Sequence, residues 1–300
     1  MKVEPFDNTA FLHGLECRIE EEHHRRLHQD PPKGTVSFYY LLVGGEPESL
    51  ENYRYILGRQ EADFHMPRHR HTFEQVRLPL VGDMHLGEQG VLHEGEIGYF
   101  PEGLTYGPQD DPLGDAKPGE RLQLVLQFGG ASGLGMAAGR GRGPASERPQ
   151  CEQRSERRAV KFPRPRYKNI IILDPAHFNW LQVPAVIGVE RKYFGSFTER
   201  AFWIEMVKIG ADAAWVSTCR KARRLIVVLS GSATVEGIRV GRLAAIQVDA
   251  GEALYVSAFT ETVLYIVGLP PVQLPRIPSE QFDVIESDGA IQFENPPQAA

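Results

Sequence analysis

The chain has 300 residues, of which 42% are hydrophobic and 24% are charged, and its formal net charge is −6. This length suits one large domain or two of ordinary size. The acidic balance argues against nucleic acid as a partner, because phosphate binding requires a basic face. The polar first residues, 1–8, and the lack of an apolar run of about eighteen residues predict a cytoplasmic protein with no membrane segment.

Short apolar runs separated by Gly, Pro and Asp recur about every ten residues and predict an all-β fold. Helical spacing is confined to residues 10–27, where Phe11, Leu15 and Ile19 lie four apart and favour a helix. The predicted strands that follow are residues 36–43, 53–57, 73–81, 122–128, 202–209, 225–229 and 263–267.

Two histidines stand in front of the third predicted strand. Strand side chains alternate between faces, so His69, His71 and Gln75 share one face, whereas Glu74 would need a β-bulge to join them. Two converging imidazoles are what a transition-metal site requires. The alternative is a hydrogen-bonded polar patch inside a barrel.

A second group of residues follows after a short predicted hairpin. With the histidines it resembles the two sequence motifs of the cupin superfamily. The first motif has His-x-His, then Glu and Gly; the second has Gly, Pro-x-Gly and a final His. The positions that match are His69, His71, Gln75 and Gly82 in the first motif, and Gly95, Pro101, Gly103 and Tyr106 in the second.

The chain departs from the family pattern at three positions. Gln75 replaces the Glu ligand, Tyr106 replaces the final His, and no glycine stands six residues before the first His. Gln75 offers only a neutral carbonyl oxygen, which should lower metal affinity. Tyr106 has three open roles: a phenolate ligand, an acid or hydrogen-bond donor to substrate, or a pocket wall.

The second half of the chain repeats the cupin spacing without its ligands. Residues 139–165 are rich in Gly, Pro, Ser and Arg and are predicted as a linker or a flexible loop between domains 1–138 and 166–300. The positions that correspond to the family motifs hold Thr218, Arg220, Arg224, Ser257, Phe259 and Thr262. We therefore expect a degenerate second cupin domain, with Arg220 and Arg224 solvated or paired with acidic residues.

The resemblance implies two tandem double-stranded β-helix barrels with one divalent transition metal in the first. Iron is favoured, with Mn, Ni, Zn and Cu as alternatives. It further implies an enzyme acting on a small organic metabolite, foremost a dioxygenase, with isomerase and lyase chemistry also open. The implied ligands are His69, His71, Gln75 and Tyr106, the catalytic residues Tyr106 and Glu74, and the substrate contact Gln109.

Two other functions remain open at this stage. The chain could be a non-catalytic cupin that binds a small molecule, or a structural dimer, because fold alone does not fix function. Exposed edge strands of such barrels associate readily, so a homodimer is expected.

Overall fold

A computed structural model describes residues 1–6, 15–17, 33–34, 36–45, 52–130, 163–184, 186–198, 200–219 and 221–271. These residues form antiparallel sheets, which confirms the predicted all-β class. The chain divides into two compact units: an N-terminal unit, His13–Leu173, and a C-terminal unit, Asp174–Ala300 together with Met1–Leu12. Among the described residues, no helix has the length and apolarity needed to cross a membrane.

Strand β1 (Lys2–Glu4) belongs to the C-terminal unit, and the next eleven strands form the N-terminal unit. These are β2 (Leu15–Cys17), β3 (Val36–Gly44), β4 (Tyr53–Gln60), β5 (Phe64–Met66), β6 (Phe73–Val81), β7 (Met84–His85), β8 (Val91–Leu92), β9 (Ile97–Phe100), β10 (Gln109–Asp111), β11 (Leu122–Gly129) and β12 (Ile171–Leu173). Seven of them form one sheet in the order β12-β9-β6-β11-β4-β3-β2, and β10-β5 and β7-β8 form two small ones.

The remaining strands belong to the C-terminal unit. They are β13 (Leu181–Gln182), β14 (Val189–Phe197), β15 (Phe202–Ile209), β16 (Ala214–Thr218), β17 (Arg224–Ser230), β18 (Ser232–Val235), β19 (Ile238–Gly241), β20 (Ala245–Val248), β21 (Ala253–Ala258) and β22 (Thr262–Gly268). They form a seven-stranded sheet, β1-β20-β17-β22-β15-β14-β13, and a four-stranded sheet, β16-β21-β18-β19. Two short 3₁₀ helices, Gly87–Gln89 and Pro175–His177, complete the described elements.

Apolar side chains fill the interior of the C-terminal unit. Val207, Ile226, Ile246 and Ile266 are fully buried within one cluster that draws on both sheets. The continuous apolar runs of β15, β17 and β22 are explained by this packing, because strands buried on both faces do not alternate with polar residues. The burial of these side chains is the main stabilising contribution in this unit.

Every predicted strand is found, but the predicted helix over residues 10–27 is wrong where the structure describes it. Leu15–Cys17 form β2, which pairs with Phe38, Ser37 and Val36 of β3. Pairing with a sheet edge overrides the weak local preference for a helix. The other residues of that predicted helix lie outside the described residues.

The bounds of the two units differ from those of the predicted domains, 1–138 and 166–300. Ile171–Leu173 pair with β9 and so extend the N-terminal unit beyond the predicted linker. Lys2–Glu4 pair with β20 and so place the start of the chain in the C-terminal unit. Strand pairing between segments distant in sequence is not visible in local composition. Residues 139–162 of the predicted linker lie outside the described residues.

Candidate functional site

The Tyr106 hydroxyl is the centre of a polar cluster in the N-terminal unit. Tyr106 is 1% exposed, and its backbone pairs with that of His69 through two hydrogen bonds of 3.0 Å. The Nε2 atoms of His69 and His71 lie 3.0 and 3.1 Å from the hydroxyl oxygen. The two cupin-like motifs are therefore adjacent in space, and the predicted convergence of the imidazoles is found, although both residues precede β6.

The Pro-x-Gly turn brings Tyr106 into this position. Gly103 donates its backbone N–H to the His71 carbonyl oxygen at 2.8 Å and has a φ of 76°. A Cβ at Gly103 would also overlap the carbonyl oxygen of Pro163. Both observations require glycine here, because other residues rarely adopt this backbone conformation.

A guanidinium group completes the cluster, and sequence reasoning missed it. Arg77 donates from Nη2 to the Tyr106 hydroxyl at 3.1 Å, from Nε to Gln75 Oε1 at 2.8 Å and from Nη1 to Gln109 Oε1 at 3.0 Å. The alternation that places Gln75 on the face of the histidines also places Arg77 there. The sequence spacing therefore indicates that Arg77 faces the same side as the histidines, but no family motif assigns a role to position 77.

The charge of Arg77 has no acidic partner in direct contact among the described residues. Each of its three hydrogen bonds goes to a neutral group, and the residue is only 9% exposed. The nearest link to an acid runs through Gln109, whose Nε2 donates to Asp111 at 2.5 Å. A buried cation without a paired anion is energetically costly.

His71 and Tyr106 are neutral at pH 7. Burial, followed by the positive charges of His69 and Arg77, holds the pKa of His71 well below its usual range. Burial raises the pKa of Tyr106 even though Arg77 opposes the shift, so the phenol keeps its proton. His69 Nδ1 lies 2.8 Å from the Pro67 carbonyl oxygen, which only accepts, so Nδ1 carries a hydrogen.

These residues do not fit a resident divalent metal. Within the described part of the chain, no group of three or more His, Cys, Asp or Glu side chains is arranged to hold one. The site offers two imidazoles, an amide oxygen and a protonated phenol, with the guanidinium 3.1 Å from the phenol oxygen. A divalent cation bound here would be repelled by Arg77, because like charges about 4 Å apart repel by about 4 kcal/mol per pair of unit charges at an effective dielectric constant of about 20.

A cavity of about 300 Å³ is lined by five residues of this cluster: His69, His71, Gln75, Arg77 and Gln109. Its other polar lining residues are Arg54, Gln123 and Gln127, and none of the described lining residues is acidic. The apolar wall consists of Val36, Phe38, Tyr40, Ile56, Phe64, Met66 and Val125. A mostly apolar cavity with a few converging polar groups is the usual form of a small-molecule site.

No protein-family profile matches the chain, and no curated protein matches it. Solved structures do resemble it. A putative dioxygenase from Nostoc punctiforme is 12% identical, with 80% of this chain and 85% of that one covered and a TM-score of 0.52. Oxalate decarboxylase from Bacillus subtilis is also 12% identical, with 87% and 75% covered and a TM-score of 0.51. A bacterial pirin from Escherichia coli in complex with nickel(II) is 12% identical, with 90% and 99% covered and a TM-score of 0.50.

The fold is that of the cupins. At 12% identity these likenesses establish the cupin fold alone, and they carry no residue role from one protein to another. The cupin fold agrees with the two sequence motifs that meet at Tyr106. The chemistry of the site must therefore be argued from the residues of this chain.

Two further predicted site residues have different positions relative to the cavity. Gln109 lines it and binds Arg77, as a substrate-contacting residue would. Glu74 points elsewhere, where its Oε2 accepts from the Tyr99 hydroxyl at 2.8 Å and from the Glu102 backbone N–H at 2.9 Å. The pairing of β6 with β11 has no bulge at Glu74 that would turn it inward. The predicted catalytic role of Glu74 is therefore not supported.

The corresponding positions of the C-terminal unit are used differently. Thr262 is fully buried, with its hydroxyl 2.8 Å from the Thr260 carbonyl oxygen. Arg224 is 2% exposed and donates to Ser217 Oγ at 2.8 Å and to backbone carbonyl oxygens, so the expectation that it is solvated is wrong. Arg220 lies outside the described residues.

Proposed function

We propose that the N-terminal unit binds a small organic molecule in its cavity and does so without a resident divalent metal. The observation that carries this proposal is the Arg77 guanidinium inside the cluster of His69, His71 and Tyr106. The family pattern has a negatively charged Glu ligand at the position of Gln75, and in this chain Arg77 is hydrogen-bonded to Gln75. A fixed, hydrogen-bonded cation is a preorganised binding group for an electron-rich atom of a ligand.

The surrounding groups support ligand binding in a definite orientation. His69, Gln75 and Gln109 provide donors and acceptors in the cavity lining, and apolar side chains form another part of it. Their hydrogen bonds hold these side chains in place before a ligand enters. A ligand therefore loses less entropy and displaces fewer groups than it would at a mobile site.

A metal-dependent enzyme, foremost dioxygenase-like, is the second candidate function. The hydrogen bond between His69 Nδ1 and the Pro67 carbonyl oxygen favours it, because metal-bound histidines are commonly oriented in this way. That function would require Arg77 to leave the cluster and break its hydrogen bonds to Gln75, Gln109 and Tyr106.

Elemental analysis of the full chain separates the two candidates. Protein without a His-tag would be prepared in medium supplemented with Mn, Fe, Ni and Zn and purified without chelators. We expect transition-metal content far below one atom per chain, and no difference between the wild type and the double variant His69→Ala/His71→Ala. About one metal per chain, lost in that double variant, would overturn the proposal and favour the second candidate.

A further inference from the structure

We infer that the ligand is an organic carboxylate with an aromatic or similarly apolar body. This inference rests on the proposed function and adds the chemical class of the ligand. Three features of the cavity carry it: the excess of positive charge, the unused donors of Arg77, and the apolar wall.

The first feature is the charge of the lining. Arg54 and Arg77 face the cavity from β4 and β6, and no acidic side chain of the described residues faces it. The Arg54 side chain makes no ion pair or hydrogen bond with another described residue. Strand β11 separates the two arginines, with Gln127 opposite Arg54 and Val125 opposite Arg77. Strand spacing then puts their Cα atoms about 12 Å apart, close enough for both long side chains to act on one small ligand.

The second feature is the hydrogen-bonding capacity that Arg77 retains. A guanidinium has five N–H groups, and Arg77 uses three of them on Gln75, Gln109 and Tyr106. Two remain for a ligand. A carboxylate matches this planar donor group in shape and charge, and it would supply the anion that the buried guanidinium lacks.

The third feature is the apolar part of the cavity lining. Phe38, Phe64, Met66 and Val125 contribute apolar surface that a small inorganic anion would leave uncovered. A cavity of about 150 Å³ holds a benzene ring, and this one measures about 300 Å³. It therefore has room for a ring together with a short carboxylate-bearing side chain.

Calorimetric titration with three probes tests the inference on the full chain at pH 7. The probes are 3-phenylpropanoate, its neutral isostere 3-phenylpropanamide, and acetate, which keeps the carboxylate but lacks the ring. We expect the phenyl carboxylate to bind at least tenfold more tightly than either of the others, because charged hydrogen bonds and apolar burial both contribute. Its affinity should fall as salt is added, whereas that of the amide should not.

Four variants locate the binding. Arg77→Gln and Arg54→Gln should each weaken binding of the phenyl carboxylate about tenfold and leave that of the amide unchanged. The matched control is Arg59→Gln, because Arg59 lies on the same strand as Arg54, forms an ion pair with Glu61 at 2.6 Å and does not line the cavity. It should bind like the wild type. Arg77→Lys keeps the charge and should retain part of the preference for the carboxylate over the amide. It shows whether a loss of binding in Arg77→Gln comes from the lost charge or from a folding defect.

The outcomes distinguish this inference from the proposed function. Equal affinity for the carboxylate and the amide, or no binding of 3-phenylpropanoate at millimolar concentration, would overturn the inference and leave a cavity for another small molecule. Binding that disappears with a chelator and returns with a divalent metal would instead overturn the proposed function.

Discussion

The two units use the interior of a β-sheet fold in opposite ways. In the C-terminal unit, buried Val, Ile, Leu and Ala side chains pack into one cluster. In the N-terminal unit, inward-facing Arg, His and Gln side chains surround a cavity of about 300 Å³. Close packing contributes most to stability, whereas a cavity forgoes part of that contribution. The contrast teaches that the unit with the less favourable interior is the one to examine for function.

The buried arginines of the two units make the contrast sharper. The motif spacing that gives Gln75 in the N-terminal unit gives Arg224 in the C-terminal unit. Arg224 donates to Ser217 and to two backbone carbonyl oxygens, and the acidic side chains of Glu205 and Glu252 act on it electrostatically. Arg77 contacts only neutral groups. Arg224 thus lies within the electrostatic influence of acids of its own unit, although its Nε has no hydrogen-bond partner among the described residues. Arg77 has no acidic side chain in direct contact among the described residues.

The largest expected effect is on packing. Ile266→Ala should lower the free energy of unfolding of the C-terminal unit by about 2–5 kcal/mol, because it leaves a hole in a filled core. All three tryptophans, Trp180, Trp203 and Trp215, lie in that unit, so urea unfolding followed by tryptophan fluorescence reports on it.

The matched variant Ile56→Ala enlarges an existing cavity and should leave this transition unchanged. Its own cost, measured by hydrogen exchange of β4, should stay below about 2 kcal/mol; equal costs for the two variants would break the comparison.

A second change should turn the guanidinium site into a metal site. The double variant Gln75→Glu/Arg77→Gln adds a carboxylate beside two imidazoles and removes the opposing charge. Its affinity for Ni(II) or Zn(II), measured by titration calorimetry, should exceed that of the wild type at least 100-fold, which is about 2.7 kcal/mol.

The single variant Gln75→Glu is the control for that experiment. Its new carboxylate should pair with Arg77, whose Nε already lies 2.8 Å from Gln75 Oε1, and metal affinity should rise much less. If the single variant binds metal as tightly as the double variant, Arg77 does not oppose the metal and the account is wrong on this point.

The final motif position holds Tyr106 in the N-terminal unit and Thr262 in the C-terminal unit. Removing the hydroxyl of each should lower the stability of the two units unequally. Tyr106→Phe should destabilise the N-terminal unit by about 1–3 kcal/mol, because Arg77 and both imidazoles lose a buried partner. Thr262→Val removes a hydroxyl that bonds only to backbone carbonyl oxygens and should cost about 1 kcal/mol. Hydrogen exchange of β6 and β22 measures the two effects separately. A smaller loss for Tyr106→Phe would show that the cluster around its hydroxyl adds little.

The smallest expected effect is a difference in acid sensitivity. The pKa of His71 is lowered in the folded protein, so below about pH 6.5 the unfolded chain takes up a proton that the folded chain does not. The stability of the N-terminal unit should therefore decrease as the pH falls from 7 towards 5. Hydrogen exchange of β6 should show this, and His71→Gln should reduce it. The C-terminal unit contains only His177, whose side chain is 84% exposed, and provides the internal reference.

The strands and the cupin motifs could be predicted from the sequence because both depend on local spacing. The convergence of His69 and His71 on Tyr106 also followed from the motif positions. The role of Arg77 could not be predicted. Strand alternation indicates which face its side chain shares, but not that its guanidinium takes the place of a metal ion. The pairing of β1 with β20 and of β12 with β9 joins segments far apart in the chain, and no local pattern indicates it.

The most direct test of the central claim is a crystal structure of the wild-type protein grown with excess Ni(II), with anomalous data collected at the nickel edge. The account predicts that the Arg77 guanidinium remains hydrogen-bonded to Tyr106 and Gln75, with no anomalous peak between His69 and His71. A nickel ion bound to both imidazoles, with Arg77 displaced from the cluster, would contradict it.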